Sequence, residues 1–143
     1  MRVEEVMSRD PIVLAPDETL DVAEMLMNFA HIRHLPVTEN GIVVGLVTHR
    51  DLLRACVQRM GANCEPSART AAESKELVQV AEIMRVDVRT IDAKSDVREA
   101  IDIMIDHKYG CLPVTEKRHL VGIITEADFL KLARRHLSER RDR

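Results

Sequence analysis

The chain has 143 residues and a formal net charge of -3 at pH 7; 45% of its residues are hydrophobic, 2% are aromatic and none is Trp. This length fits one ordinary domain, or two small repeats around a shared aliphatic and methionine-rich core. The scarcity of aromatic rings argues against base stacking on single strands, and the acidic balance gives no general attraction to nucleic acid.

The three cysteines, Cys56, Cys64 and Cys111, show no Cys-x-x-Cys spacing and are odd in number. This usage is typical of reduced cytosolic thiols rather than of a disulfide framework. The sequence shows neither a signal peptide nor an apolar run of about eighteen residues. We therefore expect a cytoplasmic protein without a membrane segment.

The first elements are predicted from apolar spacing. A short helical lead-in over residues 3–7 precedes an extended segment, Ile12-Val13-Leu14. A helix follows with Thr19 at its N-cap, because small and apolar residues then recur at spacings of three and four. These residues are Leu20, Ala23, Met27 and Ala30.

A hairpin and a second helix complete this pattern. Strands over 35–38 and 42–47 are joined through Glu39-Asn40-Gly41, and Asn-Gly between apolar runs is a strong hairpin signal. The last helix is predicted to begin after Thr48 and to end near Met60. The element order is thus β-α-β-β-α.

The same order is written twice, because residues 3–54 align without a gap with residues 80–131 at a constant offset of 77. In the second copy the extended segment is Arg89-Thr90-Ile91, and Asp96 with Glu99 predicts a capping box before the helix. Its hairpin lacks the glycine, so we expect a looser turn over residues 116–119. Its last helix should run from after Thr125 to about Leu137.

The duplication predicts an α+β fold of sandwich type, made of two β-α-β-β-α repeats related by a pseudo-twofold axis. We place the first domain at residues 1–60, a polar linker at 61–76 and the second domain at 77–137. Residues 138–143 form a basic C-terminal tail. A run of basic residues at a helix end is typical of a solvated face, and a nucleic-acid or partner-binding tail is the less favoured alternative.

Each repeat carries Thr-x-x-Asp where its last strand meets its last helix, at Thr48 and Asp51 and again at Thr125 and Asp128. A Thr at the N-cap with an acid three residues later is an ordinary way to satisfy free N–H groups at a helix start. The functional interpretation is favoured by the residues that flank the motif. Leu-Pro-Val-Thr-Glu precedes it at one fixed distance in both copies, and Gly-hydrophobic-hydrophobic leads directly into it.

On these residues, from Leu35-Pro36-Val37 to Asp51 and from Leu112-Pro113-Val114 to Asp128, the chain closely resembles a tandem pair of cystathionine-β-synthase (CBS) domains, a Bateman module. The resemblance implies two clefts between the domains that hold AMP, ADP, ATP or S-adenosylmethionine. An ionised Asp only accepts hydrogen bonds and suits a ribose diol. The resemblance therefore assigns Asp51 and Asp128 to the ribose, with Thr48 and Thr125 beside the sugar or phosphate.

The resemblance also implies basic residues for phosphate and strand backbone for adenine. The phosphate candidates are Arg33, His34, Arg50 and Lys108. The second copy has Gly110 and Cys111 where the first has its basic pair, so we expect the two sites to differ in phosphate affinity, or one to be empty. The adenine candidates, through their backbone, are Ile12, Val13, Arg89 and Thr90.

Two functions remain open. The first is a stand-alone, ligand-sensing regulatory module, without a required cofactor, that signals through domain orientation; the second is a ligand-independent interaction or dimerisation scaffold. An enzyme is disfavoured because no catalytic motif is present, and a metal site is disfavoured because His31 and His34 lack further ligands nearby. The resemblance implies a homodimer, for which we expect apolar helix residues at the interface. The candidates are Leu26, Phe29, Ile103 and Ile105.

Overall fold

The computed structural model describes residues 1–62 and 78–141, with side chains described for 1–58 and 78–140. Most of the predicted linker and the end of the predicted tail lie outside these residues. The chain forms two compact units, one of Ile12–Val88 and one of Met1–Pro11 with Arg89–Arg143. We call them the Asp51 unit and the Asp128 unit.

The helices and hairpin strands of both units follow the predicted order, which confirms the α+β class. In chain order they are β1 (Ser8–Arg9), α1 (Leu20–Ala30), β2 (His34–Glu39), β3 (Ile42–Thr48), α2 (His49–Ala62), β4 (Ile91–Asp92), α3 (Val97–His107), β5 (Cys111–Glu116), β6 (His119–Thr125) and α4 (Glu126–Arg141). Each predicted helical lead-in is a single 3-10 turn, at Val3–Glu5 and Val80–Glu82. The helix α4 continues past Leu137 into the predicted basic tail.

In each compact unit, the lead-in segment comes from the other sequence repeat. In the Asp51 unit, Val78 and Val80 are buried in the core, although they begin the second repeat. In the Asp128 unit, Val3 and Met7 are buried in the core, although they begin the first repeat. The compact units therefore differ from the predicted repeat boundaries, because each lead-in packs against the strands of the other copy.

A glycine on the last strand of each unit permits this packing. A Cβ on Gly45 would collide with the Met84 sulfur and lie 3.1 Å from the Arg85 carbonyl oxygen. A Cβ on Gly122 would lie 2.5 Å from the Met7 sulfur and 2.9 Å from the Ser8 carbonyl oxygen. The glycine before Leu-Val-Thr and Ile-Ile-Thr is thus required by the close approach of the lead-in.

Both hairpins are antiparallel with a two-residue turn. In the first, Asn40 and Gly41 have φ of 51° and 78°, as the Asn-Gly pair predicts for a type I′ turn. In the second, Lys117 and Arg118 adopt the same conformation, with φ of 49° and 72°. The expectation of a looser second turn is therefore wrong, because the strand pairing on both sides imposes this geometry on two residues that do not favour it.

Two predicted helix caps differ from expectation. Thr19 is the N-cap of α1, but its hydroxyl donates to the Asp21 carboxylate instead of accepting from the helix. Asp96 caps α3 by accepting from the Arg98 N–H at 2.8 Å, and among the described residues no bond returns from the Glu99 carboxylate. Hydrogen bonds from Arg98 lower the pKa of Asp96 below its ordinary value of 3.8.

Candidate functional site

In the Asp51 unit, Thr48 and Asp51 close a capping box at the start of α2. The Thr48 N–H and hydroxyl both donate to Asp51 Oδ2 at 2.9 Å, and the Asp51 N–H donates to Thr48 Oγ1 at 3.2 Å. The carboxylate is only 8% exposed. Since the helix uses Oδ2, the second oxygen, Oδ1, is left for other partners.

The Asp128 unit repeats this arrangement at the start of α4. The Thr125 N–H and hydroxyl donate to Asp128 Oδ2 at 2.9 and 3.0 Å, and Asp128 is 7% exposed. Asp51 and Asp128 are the two buried polar or charged residues among those described. The structure therefore supports the capping interpretation of Thr-x-x-Asp and, in both units, keeps one oxygen of a buried carboxylate out of the cap.

Among the described residues, each remaining oxygen has one cationic neighbour that the sequence did not predict. In the Asp51 unit, the Arg85 guanidinium lies 3.5 Å from Asp51 Oδ1. In the Asp128 unit, the Lys131 ammonium lies 3.5 Å from Asp128 Oδ1. The i,i+3 spacing could have indicated Lys131, whereas Arg85 lies 34 residues from Asp51 and only strand pairing brings it there.

The predicted phosphate residues lie around the same helix starts, and Arg33, Arg50 and Lys108 have no described side-chain bond to either Asp. The Arg33 carbonyl accepts from the His49 N–H at 2.9 Å, and His34 stands opposite Thr48 in the β2–β3 pairing. The side chains of Arg33 and Arg50 are exposed. Lys108 ends α3 in the left-handed conformation, with φ of 55°, and is exposed as well.

The predicted adenine segments run beside the strand that precedes each motif. Leu14 pairs in parallel with Val37, donating to the Pro36 carbonyl and accepting from the Thr38 N–H, both at 2.9 Å. Continuing this pairing would bring the N–H of residue 36 to the Ile12 carbonyl, but a proline has no N–H. Ile12 and Val13 consequently lie outside any strand, and the predicted strand is reduced to one bridge at Leu14.

The Asp128 unit has the same interruption. Ile91 pairs in parallel with Val114, so the residue that would donate to the Arg89 carbonyl is Pro113. Among the described residues, no main-chain hydrogen bond engages Ile12, Val13, Arg89 or Thr90. Because Thr48 faces His34 and Thr125 faces Cys111, the free backbone and the Thr-x-x-Asp motif lie at the same end of the strands in each unit.

The predicted interface residues divide into two classes. Phe29 is 84% exposed and Ile105 is 68% exposed, as a docking surface requires. Leu26 and Ile103 are instead partly buried and packed against the cores of their own units. The helical stripe was wide enough to include both faces, so the sequence alone did not separate these pairs.

In the described part of the chain, no three His, Cys, Asp or Glu side chains gather as metal ligands would, and His31 ends α1 as an exposed residue with φ of 53°. In residues 1–62 and 78–141, no helix has the length and apolar character needed to cross a membrane.

A family model described as the CBS domain matches the chain twice, over residues 3–58 and 80–135. An uncharacterized protein of Methanocaldococcus jannaschii, MJ1225, is 32% identical over 133 residues, and the match covers 90% of this chain but 46% of that relative. A CBS domain-containing protein of Dictyostelium discoideum is 34% identical over 132 residues, with 91% of this chain and 89% of that protein covered.

Solved structures are similar over nearly the whole chain. A provisionally assigned acetoin utilization protein (AcuB) from Vibrio cholerae has a TM-score of 0.80 and 35% identity, covering 100% of this chain and 97% of that one. The CBS domain pair of protein MJ0100, solved with 5′-methylthioadenosine and S-adenosyl-L-methionine, has a TM-score of 0.74 and 25% identity. That match covers 92% of this chain and 94% of the other.

Proposed function

The chain belongs to the CBS-domain family, and on that premise we propose that it is a regulatory CBS pair that binds adenosine-containing ligands: AMP, ADP, ATP or S-adenosylmethionine. The observation that carries this proposal is a buried carboxylate in each unit, of which the helix start uses only one oxygen. Asp51 and Asp128 are buried, each has one oxygen fixed by a helix start, and each keeps Oδ1 outside the cap. A fixed acceptor of this kind suits the two hydroxyls of a ribose.

In this proposal, the adenine edge binds the free backbone of Ile12 and Val13 in one unit and of Arg89 and Thr90 in the other. Pro36 and Pro113 support this role, because they leave the carbonyls of residues 12 and 89 without a strand partner. A free carbonyl accepts from an exocyclic amine and a free N–H donates to a ring nitrogen.

Arg33, His34 and Arg50 would serve a phosphate near Asp51, and Lys108 would serve one near Asp128. Arg33, Arg50 and Lys108 are exposed beside the relevant helix starts and strand ends. Their uneven number between the repeats supports a difference in phosphate affinity between the two sites.

The role we propose is binding and signalling rather than catalysis. The ligand would favour one domain orientation over another, and a regulated protein would read the difference as a population shift. No cofactor is required for this mechanism. The cytoplasmic location and the absence of nucleic-acid binding stay predictions from composition.

Thermal unfolding against AMP, ADP, ATP and S-adenosylmethionine tests the ligand proposal. A ligand that binds specifically, at 100 times its dissociation constant, should stabilise the protein by about 2.7 kcal/mol. Asp51→Asn and Asp128→Asn should each remove part of this shift, because Asn keeps a carbonyl oxygen for the cap but turns the other atom into a donor that cannot accept from a ribose.

The matched control is Arg54→Gln, since Arg54 is exposed on α2 and has no described bond to Asp51. It should leave the ligand shift unchanged. A wild-type protein that no adenosyl compound stabilises would contradict the proposal.

The homodimer is a second proposal, supported by the exposed Phe29 and Ile105 on α1 and α3. A ligand-independent scaffold would use the same surface and is the alternative function. Sedimentation should give about twice the 16.2 kDa of one chain, and Phe29→Asp should reduce the mass to that of one chain. Val86→Asp, at an exposed apolar residue outside the helices, is the control. A wild-type mass near that of one chain would contradict dimerisation.

A further inference from the structure

Arg85 is anchored by its main chain beside the candidate site of the Asp51 unit. Its N–H donates to the Leu46 carbonyl at 2.9 Å, and its own carbonyl accepts from the Leu46 N–H at 3.0 Å. This bridge fixes the Cα of Arg85 against β3, two residues before Thr48. The side chain itself remains 53% exposed, so its head group is free to change partners while its base stays in place.

The contact between Arg85 and Asp51 is too weak to contribute much to the stability of the fold, so stability does not explain why an arginine stands at this position. The single distance of 3.5 Å exceeds the roughly 2.7–2.9 Å of a strong charge-assisted hydrogen bond. A half-exposed ion pair contributes little to folding. The Arg85 guanidinium has five N–H donors. Within the described residues, Asp51 is the one side chain that it contacts, so most of these donors are unused.

The equivalent position in the Asp128 unit carries no charge. Ser8 pairs with Ile123 as Arg85 pairs with Leu46, at the same register and the same offset of 77. There the cation comes from Lys131, one turn along the same helix as Asp128. The residue equivalent to Lys131 is Arg54, which has no described bond to Asp51. The two carboxylates are therefore neutralised from different elements.

We propose that Arg85 is a further anion-binding residue of the Asp51 unit, beside Arg33, His34 and Arg50, and that it makes this site select phosphorylated adenosines. Without ligand, its guanidinium offsets the charge of Asp51; with ligand, Asp51 accepts from the ribose and Arg85 donates two parallel hydrogen bonds to the phosphate. The Asp128 unit has Ser8 at this position and therefore selects phosphorylated adenosines less strongly. This inference rests on the proposed adenosyl binding.

Calorimetric titration with AMP and with adenosine tests the inference in an Asp128→Asn background, where the Asp51 site remains. Arg85→Gln should weaken AMP binding about tenfold or more, because it removes charge-assisted hydrogen bonds, and should leave adenosine binding within about twofold. Arg54→Gln, which removes an exposed arginine of the same unit, should change neither affinity. The effect of Arg85→Gln on AMP should shrink as salt is raised.

The outcomes separate the two proposals. If the background protein binds neither AMP nor adenosine, the adenosyl function fails and the inference fails with it. If AMP binds and Arg85→Gln leaves its affinity unchanged, or weakens AMP and adenosine equally, only the role of Arg85 is overturned.

A gain-of-function variant gives an independent measurement. In an Asp51→Asn background, Ser8→Arg should strengthen AMP binding at the Asp128 site about tenfold relative to adenosine. No change in that ratio would contradict the claim that this register position sets phosphate selection.

Discussion

The carboxylate of Asp51 has two separable tasks, one for each oxygen. Oδ2 accepts from the Thr48 N–H and hydroxyl and so starts α2, whereas Oδ1 faces Arg85. Asp128 divides its oxygens in the same way between Thr125 and Lys131. A substitution that removes both oxygens therefore measures the cap and the ligand contact together, and only an isosteric change separates them.

At this scale we predict that Asp51→Ala lowers the free energy of unfolding by about 1–2 kcal/mol, because Thr48 loses the acceptor for its N–H and hydroxyl. Asp51→Asn should cost less than half as much, since its carbonyl oxygen still accepts those bonds. Urea unfolding of both variants without ligand checks this. Equal destabilisation by the two variants would contradict the division of tasks.

The candidate residues were predictable from sequence to different degrees. Thr48 and Asp51 belong to one helix start, where spacing determines contact, so the motif located them. Arg85 reaches Asp51 only because residue 85 pairs with Leu46, and no local pattern encodes a partner in another segment. The resemblance predicted a strand at Ile12 whose backbone contacts adenine, and that contact stays a prediction. That the Ile12 carbonyl has no strand partner, because Pro36 lacks an N–H, emerges only from the strand register.

Among the elements, the turn of the second hairpin has an unfavourable backbone conformation for its residues, and a different sequence would relieve this strain. Lys117 and Arg118 hold φ of 49° and 72° in a turn that the first hairpin builds with Asn40 and Gly41. Residues with a Cβ are disfavoured in this region, and Gly and Asn are the residues that tolerate it. Periodicity located both turns correctly, but residue type alone gave the wrong conformation for the second.

We predict that Lys117→Asn with Arg118→Gly stabilises the protein by about 1 kcal/mol, because the replacements fit the conformation already present. Thermal unfolding should show a higher midpoint than that of the wild type. The reverse change, Asn40→Lys with Gly41→Arg, should lower it. A double variant that destabilises the protein would mean that Lys117 or Arg118 makes a contact worth more than the backbone strain.

On the scale of the whole molecule, each lead-in segment packs in the core of the unit formed by the other repeat, and not with the repeat that it begins. Val80 opens the second repeat but is fully buried in the Asp51 unit, and Val3 opens the first repeat but is fully buried in the Asp128 unit. The repeat itself was evident from sequence. Which lead-in packs against which copy was not, because both lead-ins have the same apolar pattern.

Val80→Ala should therefore destabilise the unit that contains it in space, by about 2 kcal/mol. Hydrogen exchange followed residue by residue should speed up in β2 and β3, while β5 and β6 of its own repeat stay protected. Val3→Ala is the matched variant and should produce the opposite pattern. Loss of protection in β5 and β6 with Val80→Ala would contradict the exchanged arrangement.

This arrangement of the lead-in segments also determines the order in which the two units can fold during synthesis. Synthesis proceeds from the N-terminus, so residues 12–62 emerge before the Val78 and Val80 side chains that fill their core. Residues 1–11, although made before residues 12–62, find their partners only when β6 has left the ribosome. The Asp51 unit is thus completed before the Asp128 unit, and residues 1–11 take their places after residues that were made later.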